Sequence, residues 1–255
     1  MLKKVSIITV VKNNQKFIKR TLSSIISQTY KDIEYIIIDG ASTDQTLKII
    51  NKFKDKIHNI VSEPDNGIYY AMNKGINLAT GDIIGFCNSG DILKKNAIEK
   101  VVNYFTTNKH LDFLFGGVWR FYNGAKIKKQ SFIPSRIYYN FDCFTSHSTG
   151  FYIKKKSQDK LGFYNTKFQC SADYDLFYRM IVKMNMKGAA LENKKVIGVV
   201  KSGGFSSKFS YFQHLKEETM IRIYNKQNFL IILIIFFNAY IKNLPKIIKQ
   251  SLNYK

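Results

Sequence analysis

The run Val5-Ser6-Ile7-Ile8-Thr9-Val10-Val11 is rich in β-branched residues and predicts a buried strand. Phe17, Ile18, Leu22, Ile25 and Ile26 then recur at helical spacing. Tyr35-Ile36-Ile37-Ile38 is a second buried strand. Ser42 or Thr43 is placed to cap a helix running through Leu47, Ile49, Ile50 and Phe53. Ile60-Val61 makes a short third strand. Ile68 to Ala79 reads as a helix closed by Thr80-Gly81, and Ile83 to Cys87 as a fourth strand. This alternation of strand and helix predicts an α/β fold: a mostly parallel, twisted sheet with helices on both faces.

After Asn108 the rhythm changes. Phe113 to Phe121 and Ile127 to Phe132 flank Tyr122-Asn123-Gly124-Ala125, and Asn-Gly between two such runs signals a hairpin. Asp173 to Met184 reads as a helix, Val196 to Val200 as a strand and Tyr211 to Tyr224 as a further helix. The tail then carries the unbroken apolar run Phe229 to Phe237. Counted up to Ile241, it is shorter than the ~20 residues of a membrane-spanning helix. Lys226, Lys242, Lys246 and Lys249 flank it, and no acidic residue follows Thr219. Basic residues beside an apolar helix predict an element lying on an anionic membrane surface; a buried terminal helix or a dimer contact gives the same pattern.

Composition sharpens this picture in two ways. Forty Lys and Arg against 18 Asp and Glu give a net charge of +22, which draws phosphorylated ligands, anionic lipid or nucleic acid. The lysines are scattered, with no zinc-finger spacing and no arginine-rich helix, which argues against nucleic acid. The three cysteines, Cys87, Cys143 and Cys170, fit no zinc spacing, and two of them read as core residues, as expected of a cytoplasmic protein. The first apolar run meets Lys12 and Asn13 at once, unlike a signal peptide.

The candidate chemistry lies at the strand ends. Asp39 closes the second strand, Asp65 follows the third in Glu63-Pro64-Asp65-Asn66-Gly67, and Asp91 follows the fourth in Asn88-Ser89-Gly90-Asp91. In a parallel sheet these ends line one crevice, where α/β folds bind ligands. No Gly-x-Gly-x-x-Gly and no Walker lysine loop occurs, which excludes the common dinucleotide and nucleoside-triphosphate motifs.

The segments Ser6 to Asn13, Asp39-Gly40-Ala41-Ser42-Thr43-Asp44, Asn66 to Gly75 and Asn88 to Asp91 resemble glycosyltransferase family 2, inverting sugar transferases of the GT-A fold, over roughly residues 4 to 210. The resemblance implies a GT-A domain over 1–210, with a nucleotide-sugar donor half (1–108) and an acceptor half (109–210), and leaves a C-terminal helical tail over 211–255. It implies that Thr9, Val11 and Asn13 border the base and ribose and that Asp39 accepts a hydrogen bond from the base, which favours uracil. Asp65, Gly67 and Asn73 complete the nucleotide pocket, beside Asn88 and Ser89. Asn88 to Asp91 occupies the place of the family's Asp-x-Asp metal motif, so a Mg²⁺ or Mn²⁺ is expected on Asp91. The chain departs from the family at Lys12, where many relatives have Tyr, at Met72, where many have Arg, and at Gly90, where they have Asp.

In Ser171-Ala172-Asp173-Tyr174-Asp175-Leu176, Asp173 aligns with the general base, and a helix N-cap is its plainer reading. Asp175 alternatively stabilises the helix start as a charge. His147 matches a position that touches acceptor or phosphates. Lys208, in Gly203-Gly204-Phe205-Ser206-Ser207-Lys208, belongs to a loop resembling the one that closes over the donor. The function implied is transfer of a sugar from a nucleotide-diphospho-sugar, with UDP expected, to a glycan or lipid-linked glycan hydroxyl. The setting implied is surface polysaccharide synthesis at the inner face of the cell membrane. Two alternatives are a nucleotidyltransferase, which would need a glycine-rich loop after the first strand, and a basic nucleic-acid-binding module, which leaves the in-phase carboxylates unexplained.

Overall fold

A computed structural model describes residues 4–122, 125–129, 138, 148–191, 196–201 and 203–252. The chain forms two compact units. The first comprises Met1–Phe132, Thr145–Phe163 and Met186–Ser202; the second comprises Ile133–Phe144, Tyr164–Asn185 and Gly203–Lys255.

The first unit holds both sheets. Strands β1 (Val5–Val11), β2 (Ile33–Asp39), β3 (Asn59–Ser62) and β4 (Ile83–Phe86) pair in parallel in the order β3-β2-β1-β4. A short β5 (Ile92–Leu93) follows. The sheet continues through β9 (Phe151–Lys154), which is antiparallel to β4, and then β6 (Phe113–Phe115) and β10 (Gly188–Ala190). Only β9 runs against the other six strands, so the sheet is mostly parallel as expected.

Every residue of β1 is buried, because helices cover both faces. On one face Val5, Ile7, Tyr35 and Ile37 meet Ile18, Leu22, Ile25, Ile98 and Val101 in a single core. On the other, the helix Ile68–Leu78 packs on β1 and β2. It sits so close that a Cβ on Gly75 would fall 2.4 Å from Ile8 Cγ2.

The single long strand expected from Phe113 to Phe121 is two strands. β6 belongs to the large sheet, whereas β7 (Gly117–Tyr122) joins a second sheet of order β5-β11-β7-β8, with β8 (Ala125–Lys129) and β11 (Val196–Val200). The chain changes sheets at Gly116, where a Cβ would come within 2.2 Å of Ile197 Cδ1. The antiparallel pair Tyr122↔Ala125 agrees with a two-residue hairpin loop; Asn123 and Gly124 themselves lie outside the described residues.

Ser42 and Thr43 do not cap the next helix. That helix is Thr46–Asn51, with Gln45 at the cap position. The Ser42 hydroxyl is drawn instead to Asp39 Oδ1 at 2.5 Å, and the Thr43 N–H donates to Asn13 Oδ1 at 2.8 Å. A buried carboxylate anchors the opposite end of the sheet. Glu34 accepts from the Ser6 hydroxyl at 2.5 Å and from the Thr80 N–H at 2.8 Å, and pairs with Lys4 at 3.3 Å. Burial raises its pKa, but these hydrogen bonds outweigh burial and bring it down to about 2.

The second unit is helical where described. Ser210 and Gln213 close a capping box on the helix Tyr211–Tyr224. Arg222 is fully buried, donates to the Tyr138 carbonyl at 2.8 Å and lies over the Tyr174 ring at 5.5 Å. The tail is one helix, Phe229–Leu252, that runs through Pro245. It is therefore longer than the apolar run alone suggested. By length and composition its Phe229–Ile248 stretch, of mean hydropathy 1.6, is enough to cross a membrane. Ile232 and Ile235 are buried, while Phe229, Leu230, Ile234, Phe237 and Ile241 are exposed.

Candidate active site

Parallel pairing brings the carboxyl ends of β1 to β4 to one edge of the first unit. Val11 stands opposite Asp39, and Asp39 opposite Ser62. Pairing continues past β4, since the Cys87 N–H donates to the Ile8 carbonyl and the Ser89 N–H to the Val10 carbonyl. The segments that carry Asn13, Asp39, Asp65 and Asn88 to Asp91 thus share that edge.

Thr9 and Asp39 are both fully buried. The Thr9 hydroxyl donates to the Cys87 carbonyl at 2.7 Å, stitching β1 to the strand beside it. Asp39 accepts from the Ser42 N–H at 3.0 Å and hydroxyl, and from the Ser62 hydroxyl at 2.7 Å. These donors take most of a carboxylate's acceptor capacity. Through these bonds both residues hold the strand ends in place. Val11 is buried too, and its carbonyl accepts from the Gly40 N–H at 2.9 Å.

Asn13 is exposed, with φ of +48°, and its backbone N–H donates to the Ser42 hydroxyl at 2.8 Å. Asp65 Oδ1 accepts from the Gly67 N–H at 3.0 Å, and a Cβ on Gly40 would meet Asp65 Oδ2 at 2.7 Å and Lys12 Cδ at 3.4 Å. The structure therefore brings Lys12, Gly40 and Asp65 together. Gly67, with φ of +134°, starts the helix that carries Asn73 half-buried.

The loop Asn88 to Asp91 is clamped from several directions. The Asn14 amide donates to Ser89 Oγ at 2.8 Å, and Asn88 Nδ2 donates to the Ser148 hydroxyl at 2.9 Å. Thr21 Oγ1 accepts from the Gly90 N–H at 2.9 Å and donates to the Asp91 carbonyl at 2.8 Å. Asp91 itself is only 4% exposed. Its Oδ2 accepts from the Thr149 hydroxyl at 2.5 Å and its Oδ1 from the Lys201 N–H at 3.0 Å. Burial, and then the Asp91 charge, push the neighbouring Cys87 thiol well above its ordinary pKa, so this cysteine is a core residue.

In the second unit, Asp173 is half-buried in the first turn of the helix Ala172–Tyr178, and Ser171 holds the cap position. Asp173 is therefore not the N-cap. Its Oδ1 accepts from the Tyr174 N–H at 2.9 Å. Burial, and then the Asp173 charge, raise the pKa of the Tyr164 phenol, which keeps its proton. Asp175 is fully buried and bound by Arg179 at 2.8 Å and Asn225 at 3.0 Å, which removes it from solution chemistry. Glu217 accepts from the N–H groups of Gln169, Cys170 and Ser171 at 2.8–2.9 Å and so fixes the segment leading to Asp173. Lys208 is exposed on a 3₁₀ turn, Phe205–Lys208. His147 lies outside the described residues. A cavity of about 340 Å³ among Tyr30, Tyr35 and His58 lies by the amino end of β2, away from the strand-end edge.

Residues 6–179 match the family described as Glycosyl transferase family 2. The chain belongs to that family. Relatives include a glycosyltransferase of Nostoc, 31% identical over 44% of this chain and 38% of its own length. The chondroitin synthase of Pasteurella multocida is 28% identical over 69% of this chain and 18% of its own. The matched part of this chain thus spans well under half of either relative. Among solved structures, Staphylococcus aureus TarS in complex with UDP superposes with a TM-score of 0.67 at 20% identity, over 86% of this chain and 64% of that one. A Pyrobaculum calidifontis mannosyltransferase in complex with GDP-Man and Mn²⁺ gives 0.66 at 16%, over 94% and 70%. These likenesses show the GT-A fold.

Among the described residues, the donors do not fit the divalent ion expected on Asp91. Both carboxylate oxygens are engaged inside the protein, the group is buried, and Gly90 supplies no side chain where the family has Asp. Among the described residues no three His, Cys, Asp or Glu side chains gather in a way that could hold a metal. The residues not singled out in sequence were Thr149, Lys201 and Glu217. Each acts through a contact 46 to 110 positions away along the chain, and no local motif marks it.

Proposed function

We propose that the chain is an inverting glycosyltransferase that moves a sugar from a nucleotide-diphospho-sugar to a hydroxyl of a glycan. The observation that carries this reading is the shared strand-end edge of Asn13, Asp39, Asp65 and the Asn88 to Asp91 loop, in a chain of this family. Asn13, Asp65, Gly67, Asn73, Asn88 and Ser89 contact the nucleotide-sugar, while Thr9, Val11 and Asp39 hold the crevice in shape. A uridine nucleotide is the first candidate, in keeping with TarS bound to UDP and to UDP-GlcNAc.

In the reaction the acceptor oxygen bonds to the anomeric carbon as the bond from that carbon to the diphosphate oxygen breaks. The electron pair leaves with the nucleoside diphosphate, and Asp173 takes the hydroxyl proton. A sugar hydroxyl is too weak an acid to attack near neutral pH without such a base. Following the donor by NMR for release of nucleoside diphosphate tests the reading directly.

The acceptor we infer is a growing polysaccharide, as suggested by relatives named chondroitin and hyaluronan synthase, and the tail helix leads us to place it on a lipid carrier. The exposed apolar face of the helix Phe229–Leu252, with Lys226, Lys242 and Lys246, supports docking on an anionic bilayer at the cytoplasmic side. Co-sedimentation with anionic vesicles, lost on truncation after Asn225, is the expected result. Equal sedimentation of the truncated chain contradicts it.

A further inference from the structure

The second sheet delivers a lysine to the place where the family's metal motif has lost a carboxylate. β11 and β5 are antiparallel, with Val199 opposite Ile92. Continued by two residues, that register sets Lys201 against Gly90. The backbone confirms the approach, since the Lys201 N–H is bonded to Asp91 Oδ1. Gly90 has φ of +102°, and a Cβ built on it would lie 3.1 Å from Lys201 Cδ and 3.6 Å from Lys201 Cβ. The lysine stem therefore lines the space that a side chain at position 90 would enter, closely enough that it would have to shift. Its Nζ stands 3.4 Å from the centroid of the Phe17 ring, and no carboxylate among the described residues pairs with it.

An exposed ammonium at the carboxyl edge of β1 and β4 has a clear electrostatic use. A nucleotide's diphosphate brings two or more negative charges to this edge, and the leaving group gains charge as its bond to the sugar breaks. A lysine meets such charge as a compact cation with three donors. The Phe17 face holds the ammonium without neutralising it.

We propose that Lys201 is the cation that receives the donor's diphosphate, in place of the divalent metal held by relatives with an Asp at position 90. The proposal rests on the nucleotide-sugar reading above and extends it: donor binding by this chain needs no metal. Lys201→Met keeps the aliphatic stem and the backbone N–H to Asp91, so only the charge is removed, and Lys201→Arg keeps the charge.

The test is calorimetric titration of UDP, GDP, uridine and guanosine into the wild-type chain and both variants, in chelator and in Mn²⁺. The expected result is that a nucleoside diphosphate binds in chelator within about twofold of its affinity in Mn²⁺. Lys201→Met should weaken it by about tenfold and leave the matching nucleoside unchanged, and Lys201→Arg should retain most of the affinity. Diphosphate binding that requires Mn²⁺, or that is indifferent to Lys201→Met, overturns the lysine proposal and leaves the donor reading standing. If neither diphosphate binds under either condition, the donor reading falls and the proposal with it.

Discussion

Asp173→Asn is expected to lower sugar transfer by about 10²–10⁴-fold while donor affinity stays within about twofold. An amide has the shape of the carboxylate and can still accept from the Tyr174 N–H at 2.9 Å, so the helix start is preserved. It cannot take a proton from the acceptor. The surroundings support the reading of a poised base: Asp175 two residues on is fully buried and ion-paired, and Glu217 satisfies the three N–H groups that precede the helix. Asp173 is the carboxylate of this motif left half-exposed. Single-turnover transfer and donor titration on one preparation check the result. Transfer near the wild-type rate would remove Asp173 from the role of base.

Asp91→Asn carries the second large effect, on stability as much as on binding. The wild-type carboxylate is a pure acceptor for the Thr149 hydroxyl and the Lys201 N–H. An amide keeps its oxygen on the Lys201 N–H and turns its NH₂ to the Thr149 hydroxyl, which must then accept instead of donate, so two charge-assisted bonds become neutral ones. The cost expected for making two buried charge-assisted hydrogen bonds neutral is about 2 kcal/mol, or roughly 4–8 °C in Tm for a chain of this size. Because Asp91 fixes Lys201 and the loop beside it, nucleoside diphosphate affinity should fall as well. Melting the wild-type and variant chains in chelator is the check. A structural Asp91 lowers Tm there, whereas a carboxylate that served only a metal would leave the melting temperature unchanged.

The strands of the first unit were legible in sequence because a doubly covered parallel strand needs an unbroken β-branched run, and β1 and β2 have one. The strand-end carboxylates were legible for the same reason, since a parallel sheet sends every such end to one edge. Their orientation was not legible. Asp39 and Asp91 stand in phase with Asp65 along the chain, yet both turn inward to collect hydroxyl and amide donors, and a turn sequence does not say which way a carboxylate faces. The donors come from afar: Lys201 is 110 residues from Asp91. The helix cap misread at Ser42 has the same origin, because Asp39 competes for that hydroxyl. The break at Gly116 was hidden because Phe113 to Phe121 is continuous in character while its two halves serve different sheets. The tail was underestimated because the apolar count ended at Ile241, whereas the helix continues through Pro245 to Leu252.

The measurement that bears most directly on the whole account is donor turnover followed by NMR. UDP-GlcNAc and other nucleotide-diphospho-sugars would be incubated with the chain, first with water as the acceptor and then with glycan acceptors. The account predicts release of nucleoside diphosphate and a first-formed sugar of inverted anomeric configuration, both lost in Asp173→Asn. Release of the sugar with retained configuration, or no cleavage of any nucleotide-sugar with any acceptor, would contradict it.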